Sequence, residues 1–448
     1  MKKVIPQSIK NIYHLFQAVL ANVWYGFPSR KLKVIGVTGT NGKTTTVQMI
    51  AKILEEAGRP VKPDGHRASK IAVASTINFK IGEKEWINDT KFTTLSSFRL
   101  QKHLREAVRA GCDYAVIEVT SHSLDQNRVW GVDFNVVVIT NVTREHMDYH
   151  KTMENYRKAK EKLFAMIAKN KNGVAVVNLN MENAEDFLKY PARKIYGYAL
   201  KISNFKFQIS NQVQISNFKT VVAENIKLNI DHSQFSIHNS QFTLHLPGEF
   251  NIENALAATC VGLSQGIPLE KISESLEEIK KIPGRMERIE NDRGLEIIVD
   301  YAVTPDSLEK LYRLIGEIGE IRKMGESKII AVFGACGERD RGKRPIMGEI
   351  VARHADYCIV TNEDPYNEDP QKIIDEVFDG VSKYRKENMN AWRILDRREA
   401  IKKALQVAKR GDIVIVTGKG AEETMAIGKK RIPWNDPKVI REVLRELG

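Results

Sequence analysis

The sequence predicts an α/β protein whose two main domains are each built on a parallel sheet. Short apolar runs alternate with helix-period segments from residue 33 to about 180, and a second such rhythm begins near residue 283. Between the first apolar run and the first amphipathic one lies a glycine-rich turn, Gly36-Val37-Thr38-Gly39-Thr40-Asn41-Gly42-Lys43-Thr44-Thr45-Thr46. Continuous apolar runs of strand length, separated by helices, are what a parallel sheet covered on both faces requires. At 448 residues the chain has material for two or three domains and ample core.

Residues 1–32 read as a short helical leader. Within it, Ile12 to Phe27 is apolar but broken by polar residues and contains Tyr and Trp, which is too interrupted for a membrane span. Two readings stay open for it: an amphipathic helix docked on the body, or one lying on a membrane surface. Met-Lys-Lys precedes it, yet no small-residue cleavage site follows, so the cytoplasm is the expected compartment. From 33 to 282 a central domain is expected, with buried strands at Leu32–Val37, Tyr114–Val119, Asn135–Ile139 and Gly173–Asn178. Helices are expected at Val47–Ala57, Ser97–Ala110, Asn155–Lys169 and Asn251–Gln265. Residues 201–243 interrupt the pattern: Ile202-Ser203-Asn204-Phe205 recurs as Ile215-Ser216-Asn217-Phe218, and polar and apolar residues alternate. Either a β-meander on the domain edge or a low-complexity insertion fits. Residues 283–448 form the second domain, Rossmann-like, with strands at Leu295–Asp300, Ile329–Phe333, Tyr357–Val360 and Ile413–Thr417.

Composition narrows the function. Hydrophobic content of 42% and charged content of 28% are ordinary for a soluble protein. Four widely spaced cysteines without a CxxC pair argue against a disulfide framework or a zinc site. The net charge of +13 is spread along the chain, with no long Arg/Lys run and no interleaved aromatics, so a nucleic-acid interface is not expected, while an anionic nucleotide substrate and a solvated Lys-rich surface both stay open.

The chemistry collects at strand ends. Strand, glycine loop and helix in sequence make a phosphate-binding loop: the glycines let backbone N–H groups crowd a polyphosphate, Lys43 reaches its outer phosphates and the Thr44 hydroxyl ligates Mg²⁺. The spacing is a variant, with Val37 where the strict pattern has Gly. The strand Tyr114–Val119 carries Glu118 at its C-terminal end, and the next strand leads to His146. Ligands bind beyond the C-terminal ends of parallel strands, so this carboxylate and imidazole are candidate Mg²⁺ ligands.

With these residues in place the sequence resembles the Mur ligases, the ATP-dependent amide-forming enzymes of peptidoglycan precursor synthesis. The resemblance runs from about residue 33 to the C-terminus apart from 201–243. It implies an ATP site at Gly39, Thr40, Asn41, Gly42, Lys43, Thr44 and Thr45 in a P-loop-type ATPase domain. It adds Asn251 and Asn254 after Leu246-Pro247-Gly248 on the adenine side, Arg285 in the hinge Gly284-Arg285-Met286-Glu287, and Asp300 with Tyr301 as nucleotide contacts. Glu338-Arg339-Asp340 with Lys343-Arg344-Pro345 is similar to the tripeptide-synthetase branch, which joins a free amino acid to UDP-N-acetylmuramoyl-dipeptide. Folylpolyglutamate synthase, which shares fold and chemistry, is the alternative.

The resemblance implies ATP and Mg²⁺ as cofactors, with Thr44, Glu118, His146 and Lys160 at the metal and Lys43, Glu118, His146 and Lys160 in catalysis. Lys160, within Tyr156-Arg157-Lys158-Ala159-Lys160, matches the family's carbamylated lysine; residue type alone makes it one of several lysines on a solvated helix face. Thr93, Thr94, Ser121, His122 and Arg128 match segments that hold the uridine-linked sugar peptide. Arg339, Glu363, Asp364, Pro365, Gly418 and Glu422 match the amino-acid site. The leader is then a reduced uridine-binding region, and a monomer without stable membrane insertion is expected. Leu95, Val303 and Ala421 depart from the family's usual Pro, His and His. Members that take diaminopimelate carry Asp-Asn-Pro-Arg where this chain has Glu363-Asp364-Pro365-Tyr366, so diaminopimelate is disfavoured and a cationic side chain suits Glu363, Asp364 and Glu422.

Overall fold

The computed structural model describes residues 6–57, 69–90, 92–200, 217–229, 231–321 and 327–447. The chain forms two compact units, the first from residues 1–142 and 152–280, the second from 143–151 and 281–448.

The first unit begins with α1 (Gln7–Tyr25), β1 (Lys33–Thr38), α2 (Lys43–Ala57), β2 (Ile71–Ala74), β3 (Asn78–Ile81), β4 (Lys84–Ile87), α3 (Ser97–Arg109), β5 (Tyr114–Glu118), α4 (Ser121–Asp125) and β6 (Phe134–Ile139). Past α5 (Met147–His150), which belongs to the second unit, come α6 (Met153–Ile167), β7 (Val174–Asn178), α7 (Glu185–Leu188), β8 (Lys194–Ala199) and β9 (Phe218–Val222). The unit closes with β10 (Glu224–Leu228), β11 (Ser233–Ile237), β12 (Ser240–Leu244), α8 (Glu249–Ser264) and α9 (Leu269–Glu277).

Nine strands form one sheet in the order β4-β3-β2-β5-β1-β6-β7-β8-β9, parallel from β2 through β9, with β3 and β4 as an antiparallel edge. β1 is central, and its register sets Val37 beside Glu118 of β5 and Val138 of β6. The loop after β1 and the carboxylate at the end of β5 therefore leave the same edge of the sheet. Val34, Phe134, Val137, Ile139 and Ile117 are buried beneath it. At roughly 25 cal/mol per Å² of apolar surface this burial is the main force holding the sheet.

Of the repeat-rich stretch, residues 201–216 lie outside the described residues, and with them most of the Ile-Ser-Asn repeats. The remainder is a β-meander: β9 joins the large sheet, and β10, β11 and β12 make a three-stranded antiparallel sheet. Its alternation buries Phe235 and Phe242, which stack at 5.1 Å.

The second unit continues with β13 (Glu287–Arg288), β14 (Glu296–Asp300), α10 (Pro305–Ile321), β15 (Ile329–Phe333), α11 (Lys343–His354), β16 (Tyr357–Thr361), α12 (Pro370–Val381), β17 (Ala391–Ile394), α13 (Arg397–Val407) and β18 (Ile413–Thr417). It ends with β19 (Thr424–Ile427), β20 (Lys430–Pro433) and α14 (Asp436–Leu447). Its six-stranded sheet runs β13-β14-β18-β15-β16-β17, parallel except at β13. At its heart Arg397 and Asp436, both with no exposed side-chain surface, form a two-pronged ion pair at 2.8 and 2.6 Å.

Candidate active site

In the first unit the loop after β1 is shaped by two glycines. Gly39 has φ +151° and Gly42 φ +82°, both unfavourable for a side chain. A Cβ on Gly39 would stand 1.8 Å from Thr140 Oγ1, and one on Gly42 would stand 2.2 Å from Asn254 Oδ1. The main chain is thus pressed against its surroundings at both glycines, with no room there for a side chain. The neighbouring strand end fixes it: Asn41 N–H donates to Asn141 Oδ1 at 2.9 Å, and Thr140 Oγ1 donates to Asn41 O at 2.6 Å. Asn254 and Asn251 support it from α8, with Thr46 Oγ1 donating to Asn254 Oδ1 at 3.2 Å and Asn251 anchored to Pro247 O at 2.8 Å.

Lys43 opens α2 and folds back over the loop, donating to Gly39 O at 3.1 Å and Thr40 O at 2.8 Å. Thr44 and Thr45 are buried in the same first turn. A helix N-terminus, a cradle of main-chain amides and one lysine suit a polyphosphate.

Lys160 is the departure from residue-type reasoning. It is 1% exposed, and its ammonium donates to Gly39 O at 2.7 Å and lies 4.4 Å from the Tyr156 ring. The solvated lysines of this helix are its neighbours Lys158 and Lys162, paired with Glu154 at 2.6 Å and Asp125 at 2.8 Å. The reason is helical phase. Tyr156, Ala159, Leu163, Phe164 and Ile167 make the buried stripe of α6, and position 160 falls inside it. That signal was available in the sequence. Tyr156, which residue reasoning did not single out, adds a second tie through a 3.0 Å hydroxyl contact with Thr40.

Glu118 is 1% exposed at the end of β5. Its two oxygens accept from Thr76 N–H at 2.7 Å and Thr76 Oγ1 at 2.9 Å. Thr93 and Thr94 join the same network: the Thr93 and Thr76 hydroxyl oxygens lie 3.1 Å apart, and Thr94 Oγ1 donates to Glu118 O at 2.9 Å. Arg128 donates to Thr94 O at 2.8 Å. Ser121 and His122 open α4, whose cap Thr120 accepts from Ser123 N–H at 3.2 Å. Thr76 had no sequence signal beyond its place after a strand.

The second unit gathers the remaining candidates. His146 precedes α5 with φ +59°, an uncommon conformation for a side-chain-bearing residue. Its segment is held in this unit by Lys343, which donates to Glu145 Oε1 at 2.9 Å and to Val303 O at 2.9 Å. Gly284 (φ +63°) has no room for a Cβ, which would meet Ala421 N at 2.1 Å. Beside it the Arg285 guanidinium lies 4.5 Å over the Tyr301 ring, and Met286 N–H donates to Asp300 Oδ2 at 2.8 Å. Burial pushes the Asp300 carboxyl up, against the opposing pull of Arg285.

Around the amino-acid candidates the acids are not equivalent. Asp364 is neutralised by the buried Lys419 at 2.8 Å, and Lys419 also pairs with Glu422. These two carboxylates hold the Lys419 pKa up against its burial. Glu363, 3% exposed, accepts from Cys336 Sγ at 2.9 Å through Oε1, while Oε2 has no hydrogen-bond partner. Desolvation raises its pKa. The expectation that all three acids face a cation therefore narrows to Glu363. Gly418 permits the close approach, since a Cβ there would stand 3.0 Å from Glu363 Oε2. Pro365 leads into Tyr366, which has φ +52° and lies 5.8 Å beneath the Arg339 guanidinium. Cys336 as the partner of Glu363 and Lys419 as the partner of Asp364 were missed, because neither contact follows from local spacing.

A phosphate loop with a buried lysine and carboxylate, plus a second α/β unit lined with acids and arginines, defines an ATP-dependent ligase. Residues 37–262 match the Mur ligase middle domain, and residues 284–420 match the Mur ligase glutamate ligase domain. The chain belongs to the Mur ligase family, ATP-dependent enzymes that form peptide bonds and typically bind ATP and Mg²⁺. It is 37% identical to the UDP-N-acetylmuramoyl-L-alanyl-D-glutamate–2,6-diaminopimelate ligase of Syntrophomonas wolfei, over 96% of this chain and 81% of that one. It is 38% identical to the UDP-N-acetylmuramyl-tripeptide synthetase of Roseiflexus sp., over 96% and 82%. A solved UDP-N-acetylmuramoyl-L-alanyl-D-glutamate–2,6-diaminopimelate ligase superimposes with a TM-score of 0.57 at 30% identity, over 93% of this chain and 79% of that one.

Proposed function

We propose that this enzyme joins a free amino acid to UDP-N-acetylmuramoyl-dipeptide in peptidoglycan precursor synthesis, acting as a cytoplasmic monomer. Residues 33–282 bind ATP and residues 283–448 the incoming amino acid. The acceptor carboxylate attacks the γ-phosphorus of ATP, releasing ADP and giving an acyl phosphate. The amino group then attacks that carbonyl, and phosphate leaves as the amide forms. Positioning and charge neutralisation do most of the work in such phosphoryl transfer.

The observation that carries this reading is the pairing of a buried Lys160 on the Gly39 carbonyl with a buried Glu118 at the neighbouring strand end. The loop amides and Lys43 hold the phosphates. Bound Mg²⁺ neutralises charge on the phosphates, and Thr44, Glu118, His146 and a carbamylated Lys160 are the residues that would hold it. Carbamylation suits Lys160, since an ammonium beside a metal ion would repel it. Thr93, Thr94, Ser121, His122 and Arg128 bind the sugar peptide; Asn251, Asn254, Arg285, Asp300 and Tyr301 contact the nucleotide.

For the amino acid, the unpartnered Glu363 oxygen and the Tyr366 substitution favour a cationic side chain such as lysine or ornithine. A relative's name favours diaminopimelate as the competitor. The test is phosphate release with Mg²⁺, ATP, UDP-N-acetylmuramoyl-dipeptide and each amino acid in turn, with mass spectrometry of the product. Release that depends on both substrates, with one lysine or ornithine added, is the expected result. Incorporation of diaminopimelate alone overturns the selector; no product with any amino acid overturns the acceptor and directs the search to folylglutamates.

A further inference from the structure

Helix α1 is amphipathic the wrong way round for a core helix. Its buried side is small: Ala18, Ala21 and Asn22 have no exposed surface, and Asn22 Nδ2 is tied to Trp130 O at 2.7 Å. Its outward side is large and apolar. Ile12 is 69% exposed, Phe16 59%, Val23 63% and Trp24 80%, with Tyr13 and Leu20 between them. Their spacing of three and four residues sets them on one stripe of the helix. A stripe of this kind in water is unfavourable unless something covers it.

The surroundings say what. Lys10 is the one charged residue of α1, and Asp125, which accepts from Asn11 Nδ2 at 3.1 Å, is paired with Lys162 at 2.8 Å. Where α1 ends, a cleft lined by Val23, Trp24 and Tyr25 is walled by Lys102, Arg105 and Arg109 of α3. One acid, Glu106, shares it, 3.8 Å from Lys102. Two copies meeting symmetrically on this face would bring like cations together. An anionic lipid surface offers acyl chains to the stripe and phosphates to the cations, with Trp24 and Tyr13 at interfacial depth. Among the described residues no helix is long and apolar enough to cross a membrane. We infer that α1 lies in the surface of an anionic phospholipid bilayer and docks the enzyme on it reversibly.

Flotation of the full chain with mixed phosphatidylglycerol–phosphatidylcholine vesicles tests this against pure phosphatidylcholine. Binding to the mixed vesicles alone, weakened by salt, with a blue-shifted tryptophan emission, is expected. The double variant F16E/L20E should lower the partition about tenfold or more. K102E/R109E, away from the apolar stripe, should lower it with the melting temperature unchanged, which separates lost docking from lost folding. Equal binding to neutral vesicles overturns the anionic preference. A concentration-dependent dimer that does not float assigns the face to a second copy and overturns the proposal, as does a monomer that binds neither vesicle.

Discussion

Lys160 shows how much one side chain's position decides. An ammonium is costly to bury unless partners surround it, and here the Gly39 carbonyl at 2.7 Å and the Tyr156 ring provide part of that company. Replacement by alanine should lower kcat by about a hundredfold or more, the scale of removing one transition-state charge partner. ¹³C-bicarbonate should give a carbamate resonance in the parent protein that Lys160→Ala lacks; an unchanged kcat would remove Lys160 from the mechanism. His103 offers a second prediction. Burial pushes its imidazole down to about 4, against a hydrogen bond to the Val73 backbone that raises it. The unfolded chain takes up this proton near pH 6.5 and the folded one does not. Stability from this group is complete above pH 6.5 and is lost as pH falls toward 4, by about 3 kcal/mol. Urea midpoints across that range should flatten in His103→Leu. What residue type alone could not separate, helical phase could: position 160 falls in the buried stripe, 158 and 162 outside it.

At the scale of an element, glycines do different work in the phosphate loop and in the turn after α3. Gly42 and Gly111 both have positive φ, but a Cβ at 42 collides with Asn254 whereas one at 111 meets nothing within 4 Å. Gly111→Ala should cost about 1 kcal/mol of stability from backbone alone. Gly42→Ala should cost about 1–3 kcal/mol and weaken ATP binding as well; calorimetry on both variants separates the two terms. In the second unit the first turns of α13 and α14 are joined by Arg397 and Asp436. Asp436→Ala strands a buried guanidinium, and denaturant titration should find a loss of about 3–5 kcal/mol. Strands were legible in β1, β5, β6, β7 and β18, where burial on both faces made them continuously apolar, but not in β2 and β8, which are buried as well. The meander at β9–β12 was legible only as one of two options, because its polar alternation is shared by low-complexity sequence.

For the whole molecule, the central strands of the two large sheets and the loop could be read from the chain, while their outer strands and the partners of the site could not. The bond from Lys343 to Glu145 spans 198 positions, and no local pattern announces it. The same holds for the ion pair of Lys419 with Asp364, which spans 55 positions, whereas Glu422, its other partner, is only three residues on.

The nine-stranded sheet has a further consequence. Among the described residues its outer strands are β4, with Lys84 and Glu85 exposed, and β9, with Lys219 exposed. A bare strand edge is a template on which another chain can polymerise, and desolvating a charge there opposes the added strand. Lys84→Val with Lys219→Val should leave the fold intact while shortening the lag before thioflavin-positive aggregates form in concentrated solution. The two margins of the sheet are thus kept from becoming a seed for fibrils by a few charged residues.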